Sequence, residues 1–91
     1  MAITAVFKVP RMTSEQYDKV IKELEVKGVG APDGRLHHVA SRDGAGWFVV
    51  DIWESEEKLD KFGQVLMPTL EGVGVTPPEP EIRPVHNIIV G

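Results

Sequence analysis

The run Trp47-Phe48-Val49-Val50-Asp51-Ile52-Trp53 contains a single polar side chain. Successive residues of a strand point to opposite sides of a sheet. An almost unbroken apolar run of strand length therefore predicts burial on both faces. The chain has 91 residues, too few for two independent cores, and is expected to form one domain over 1–91. It offers two helical patterns, and two helices can cover one face of a sheet. The other face has to be covered by something else, and a second copy of the chain is the simplest candidate.

The rest of the pattern agrees with a sheet-and-helix chain. A first strand is predicted over Ala2–Val9, where Ile3, Ala5, Phe7 and Val9 alternate with Ala2, Thr4, Val6 and Lys8, and Pro10 ends it. Thr13 and Gln16 have capping-box spacing, and Tyr17, Val20, Ile21 and Leu24 then mark one face of a helix that stops at Gly28 and Gly30. A second strand runs from about Arg35 to Ser41, the 43–46 segment Asp-Gly-Ala-Gly is a hairpin turn, and a third strand covers Trp47–Glu54. Ser55 caps a second helix with Glu56 and Glu57 in its first turn and a buried stripe of Leu59, Phe62, Leu66 and Leu70. Pro68 is expected to break or kink it. The proline-rich 72–80 connection is irregular, and a last strand is expected over Ile82–Val90. The order βαββαβ predicts a ferredoxin-like α+β fold, a four-stranded antiparallel sheet with both helices on one face.

The hairpin turn suggests a register that sets Arg42 opposite Trp47, Ala40 opposite Val49, His38 opposite Asp51 and Leu36 opposite Trp53, all on one face. Phe48, Val50 and Ile52, with Val39 and His37, share the other. The second set is the more uniformly apolar on the third strand and is expected under the helices. The first set, joined by Thr4, Val6 and Lys8, is then expected on the uncovered face, packed against a second sheet with a cavity between them. A one-residue slip would exchange the two faces.

Composition removes several classes of function. The chain has no cysteine, which excludes disulfides, a thiol nucleophile and cysteine-held metal centres. Its net charge of −4 with no basic run argues against nucleic acid. No apolar run approaches membrane-spanning length, and the start Met1-Ala2-Ile3-Thr4 lacks a secretory signal, so a cytoplasmic location without membrane association is expected.

The stretch from Trp47 to Glu57 resembles the strand-to-helix junction of dimeric α/β-barrel proteins, including the antibiotic biosynthesis monooxygenase-like group. The closing Pro84-Val85-His86-Asn87-Ile88-Ile89 is similar to the end of small uncharacterised bacterial members. The resemblance implies a homodimer whose two sheets form a barrel, with a pocket in each protomer. Members of that superfamily include enzymes that oxidise polycyclic phenolic substrates with oxygen and no cofactor, haem-binding or haem-degrading proteins, isomerases and lyases. Haem-degrading relatives carry a histidine on the second helix, whereas Ser55–Gly72 has none, which disfavours haem.

Among the chemical candidates, His38 and Asp51 form the sharpest pair. As cross-strand neighbours, the carboxylate would orient the imidazole and tune it as a general base; the alternative is a structural hydrogen bond. His86 and Asn87 are adjacent on a predicted strand, so only one of them faces a pocket, as a base or as a donor to a substrate oxygen. Trp47 and Trp53 suit an aromatic pocket wall or a core contact, and Tyr17 a pocket phenol or simple packing. Lys8 and Arg42 suit an anionic substrate or salt bridges. Glu54, Glu56, Glu57 and Asp60 read as a solvated helix start. His37 and His38 face apart, so no three-ligand metal set is expected, and the glycine pairs lack the context of a phosphate loop.

Two readings follow. One is a small-molecule-binding homodimer acting as a cofactor-independent, monooxygenase-like enzyme on an aromatic or enolisable substrate. The other is a non-catalytic binding or structural module. An enclosed cavity of roughly a few hundred Å³ lined by His38, Asp51 and the tryptophans would favour the first; a filled interior would favour the second.

Overall fold

The computed structural model describes residues 1–91. Its elements are β1 (Ile3–Val9), α1 (Ser14–Val26), β2 (Arg35–Asp43), β3 (Gly46–Trp53), α2 (Glu56–Gly72) and β4 (Glu81–Pro84). All neighbouring strands are antiparallel, in the order β2-β3-β1-β4. This is the ferredoxin-like arrangement that the pattern predicts. No helix is long and apolar enough to cross a membrane.

The helix starts are built as their sequences dictate. Thr13 accepts from the Gln16 amide at 3.0 Å, and the Thr13 amide donates to Gln16 Oε1 at 2.9 Å, so two otherwise unpaired donors are satisfied reciprocally. Ser55 accepts from the Lys58 amide at 3.3 Å. Pro68 does not break α2, which runs through it to Gly72. The carbonyl that loses its partner belongs to Gln64. Gln64 and Pro68 are both exposed, so water can take the place of the missing amide.

The expected pairing of His38 with Asp51, Ala40 with Val49 and Arg42 with Trp47 is present. The expected pairing of Leu36 with Trp53 is not. A bulge at Leu36 sets Arg35 opposite Trp53 and leaves Leu36 46% exposed.

The assignment of faces is also reversed. Ile3, Ala5, Phe7 and Val9 of β1 stand opposite Trp53, Asp51, Val49 and Trp47. This set faces the helices, together with Val20 and Leu24 of α1 and Leu59, Phe62 and Leu70 of α2 in one core. Phe48, Val50 and Ile52 lie on the uncovered face with Thr4, Val6 and Lys8, and His37 lies there too, exposed. The physical reason lies on β1. Turning the sheet over would bury the charges of Lys8, Glu81 and Arg83, which share that face, and this costs more than leaving three apolar side chains half-covered. Asp51 can go inward because it finds donors there.

The last strand is shorter than expected. Only Glu81–Pro84 pairs with β1; Val85 adds one bond to the Ala2 carbonyl at 3.0 Å. His86 and Asn87 then lie in an exposed tail that is not part of the sheet, as do Ile89 and Val90.

Candidate functional site

Tyr17 lies one turn before Val20 on the inner face of α1, above the β2–β3 hairpin. Its hydroxyl is 2.9 Å from His38 Nε2. His38 Nδ1 is 2.6 Å from Asp51 Oδ1, and the Trp53 indole N–H donates to Asp51 Oδ2 at 3.2 Å. Four side chains from α1, β2 and β3 thus form one line of hydrogen bonds. An ionised Asp51 accepts only, so the proton of the short bond belongs to His38 Nδ1. That leaves Nε2 as the acceptor of the Tyr17 proton in a neutral imidazole.

Asp51 is 4% exposed. A carboxylate so deeply buried is tolerable because each oxygen has a donor. Burial pushes the Tyr17 phenol above its ordinary value, and the negative charges of Asp51 and Asp18 push the same way. Arg35 pulls in the opposite direction. Tyr17 is therefore held as a neutral phenol, able to donate a proton and not readily lost as phenolate.

Tyr17, His38, Asp51 and Arg35 stand on the wall of a cavity of about 70 Å³ between the sheet and the two helices; apolar side chains such as Phe7, Val20, Val49, Phe62 and Leu66 make most of the remainder. The cavity lies within one protomer, not between two sheets. It is well below a few hundred Å³, and neither tryptophan is on its wall.

The other candidates are placed as follows. Trp53 is fully buried against Phe62, with ring centroids 5.3 Å apart, and serves the site by holding Asp51. Trp47 stacks on the Tyr17 ring at 4.8 Å. Its indole N–H is buried without a partner. Arg42 lies over the Trp47 ring, 5.5 Å from its centre, and donates to Ser14 Oγ at 2.7 Å. It supports the wall without reaching the cavity. Lys8 is on the opposite face of the sheet, 3.6 Å from Glu81. His86 and Asn87 are exposed in the tail, away from the cavity. No three His, Asp or Glu side chains gather as a metal-holding group.

Arg35 is the residue that sequence reasoning missed. Strict alternation from His38 would turn it to the uncovered face, and nothing in Gly34-Arg35-Leu36-His37 announces the bulge that turns it inward. The Trp53–Asp51 bond had a usable signal, since two residues spaced by two on a strand share a face.

No protein-family model matches the chain, and no curated protein matches it. Its fold is matched by solved structures. SnoaB, a cofactor-independent oxygenase from Streptomyces nogalater, superposes with a TM-score of 0.67 at 10% identity, over 97% of this chain and 96% of that one. A Deinococcus radiodurans protein named for the antibiotic biosynthesis monooxygenases gives 0.62 at 13% identity, over 99% and 97%. A conserved protein from Methanosarcina mazei gives 0.57 at 16% identity, over 91% and 89%. The neighbours in fold are thus the group that the Trp47–Glu57 junction resembles. At these identities the likeness concerns the fold.

Proposed function

We propose that the protein binds a small molecule in the cavity beside Tyr17, His38 and Asp51 and oxidises it with dioxygen, without a cofactor. The observation that carries this reading is the Tyr17–His38–Asp51–Trp53 line of hydrogen bonds ending on an apolar cavity wall. The activity named for SnoaB, a neighbour in fold, supports it.

The chemistry needs only what the substrate and oxygen supply. A proton passes from an activated carbon, or from a phenol or enol, to the Tyr17 oxygen as the Tyr17 proton moves to Nε2 of His38, which Asp51 orients, and the substrate becomes a carbanion or its enolate. This anion gives one electron to dioxygen, and the resulting radical pair joins to form a carbon–oxygen bond as a peroxide. The peroxide takes back a proton from Tyr17, which is re-protonated by the imidazolium. Loss of the second hydrogen from the same carbon, with cleavage of the O–O bond, leaves a carbonyl on the substrate and releases water. One oxygen atom is retained and one leaves, and the substrate provides all the electrons. The apolar wall excludes water from the anion, and Tyr17 is placed to return a proton to the leaving oxygen.

The dimer belongs to the same proposal. Val6, Val39, Phe48, Val50 and Ile52 make an apolar uncovered face, with Val39 57% exposed. Face-to-face packing of two such sheets buries this surface, with the sheets about 10 Å apart. A second reading, a binding or structural module, is favoured by one observation. The cavity, at about 70 Å³, is small against the roughly 300–1,000 Å³ of ordinary small-molecule pockets.

The deciding experiment is oxygen uptake by the purified protein with a panel of small phenols and β-dicarbonyl compounds. Turnover that falls at least ~100-fold in both His38→Ala and Asp51→Asn supports the enzyme. Full turnover in both variants ends the proposed base, and no uptake with any compound favours the module.

A further inference from the structure

We infer that Arg35 makes the cavity selective for a small substrate bearing a carboxylate, which the unused N–H groups of its guanidinium pair. The inference rests on the proposal that this cavity is the substrate site.

The bulge at Leu36 is the first argument. Regular alternation would send a leucine into the core and an arginine out. The bulge does the opposite: it exposes Leu36 and turns Arg35 onto the wall of a largely apolar cavity. Exchanging a buried leucine for a cation is unfavourable for folding alone. Bulges that redirect a side chain are concentrated beside functional sites.

The second argument is the charge balance of the wall. Arg35 is half-buried, while the other arginines, Arg11, Arg42 and Arg83, are exposed. Its only side-chain hydrogen bond runs from Nη2 to the Gly30 carbonyl at 2.9 Å. Its guanidinium also lies 6.0 Å from the centre of the Phe62 ring. No carboxylate forms an ion pair with it. Asp51, the other charged group on the wall, has Oδ1 engaged by His38 and Oδ2 by Trp53. Arg35 is thus the ionic group of the cavity without a counter-ion, and a planar fork of donors suits a carboxylate. Its charge already acts at the end of the hydrogen-bonded line, where it pulls the Tyr17 phenol downward against burial.

Cavity size narrows the class further. At about 70 Å³ the space suits a short-chain acid better than a polycyclic phenol. A small β-keto acid combines the carboxylate for Arg35 with an acidic carbon for the Tyr17–His38 pair.

The test uses two probes of nearly equal shape, acetoacetate and acetoacetamide, titrated into the whole wild-type protein. Calorimetry gives the affinities, and the Arg35 Nε–Hε resonance reports the site. Acetoacetate should bind at least about 10-fold more tightly and move that resonance. Arg35→Gln should remove the preference, and Arg35→Lys, which keeps the charge but not the fork, should retain part of it. Equal binding of the two probes, a preference that survives in Arg35→Gln, or binding of neither overturns the inference. The two proposals fail separately. A carboxylate preference without oxygen uptake sinks the oxygenase and leaves the anion site. Oxygen uptake on neutral substrates with no preference for the acid does the reverse.

Discussion

On the side of the sheet that faces the helices, a carboxylate sits at 4% exposure among aromatic and aliphatic groups, with a donor on each oxygen. On the other side, Val6, Phe48, Val50 and Ile52 are only half-buried, and Val39 is mostly exposed. The more uniformly apolar row of β3 thus points outward, and the mixed row points inward. A polar group is tolerated in a core when its hydrogen bonds are complete, whereas an apolar face can wait for a partner. The inner face therefore depends on connectivity and the outer face on area. The two should respond to different substitutions.

The largest effect is expected on the inner face. Asp51→Leu keeps the branched shape, adds bulk and leaves His38 Nδ1 and the Trp53 indole without an acceptor. Chemical denaturation should show a loss of about 3 kcal/mol. Asp51→Asn, which can still accept one bond, should lose less. An unchanged denaturation midpoint in Asp51→Leu would mean that the inner polar line is not integral to the core. The next largest effect belongs to the outer face. Val50→Asp places a charge where two sheets are proposed to meet, and dimer dissociation measured by sedimentation should strengthen by about 100-fold, while the circular dichroism of the protomer stays unchanged. A wild-type protein that sediments as a monomer at micromolar concentration would remove the basis of this comparison.

The sequence made the element order legible because each element carries its own local signal: the Thr13–Gln16 capping box, the Asp43–Gly46 turn and the alternation of β1. The turn also made the His38–Asp51 pairing legible, since register propagates outward from a short hairpin loop. It did so only until the chain reached Leu36, where one extra residue shifted Arg35 and with it the charge of the cavity. Bulges have no fixed residue signature when no glycine is involved. The inner face is not legible in β3 alone. It is set by β1, because Lys8 and Thr4 lie in the row that holds Phe48 and Ile52. Val85, Ile88, Ile89 and Val90 have strand-like side chains and so read as strand, yet sheet pairing stops at Pro84, with Val85 adding a single bond. The presence of apolar residues specifies a preference for cover and not which surface provides it.

The smaller predictions concern Tyr17, the link between the inner hydrogen-bonded line and the cavity. Tyr17→Phe deletes the O–H bonded to His38 Nε2 and should cost about 1 kcal/mol, since the ring and its stack on Trp47 remain. The wild-type phenol can be followed directly, because Tyr17 is the chain's single tyrosine and its ionisation appears alone in the near-ultraviolet absorbance. Burial raises its pKa from the ordinary 10.0. In the unfolded chain the phenol loses its proton around that ordinary value, while in the folded protein it still holds it. Between the two, the native state binds more protons, so stability must fall as pH rises from about 10 towards the folded value and is unaffected below it. Asp51→Asn removes one of the raising causes and should lower the midpoint without returning it to 10.0, because burial is the larger cause. Ionisation of Tyr17 at its ordinary pH in the wild-type protein would show that the phenol is in water, and the separation between a closed inner face and an open outer one would not hold at this position.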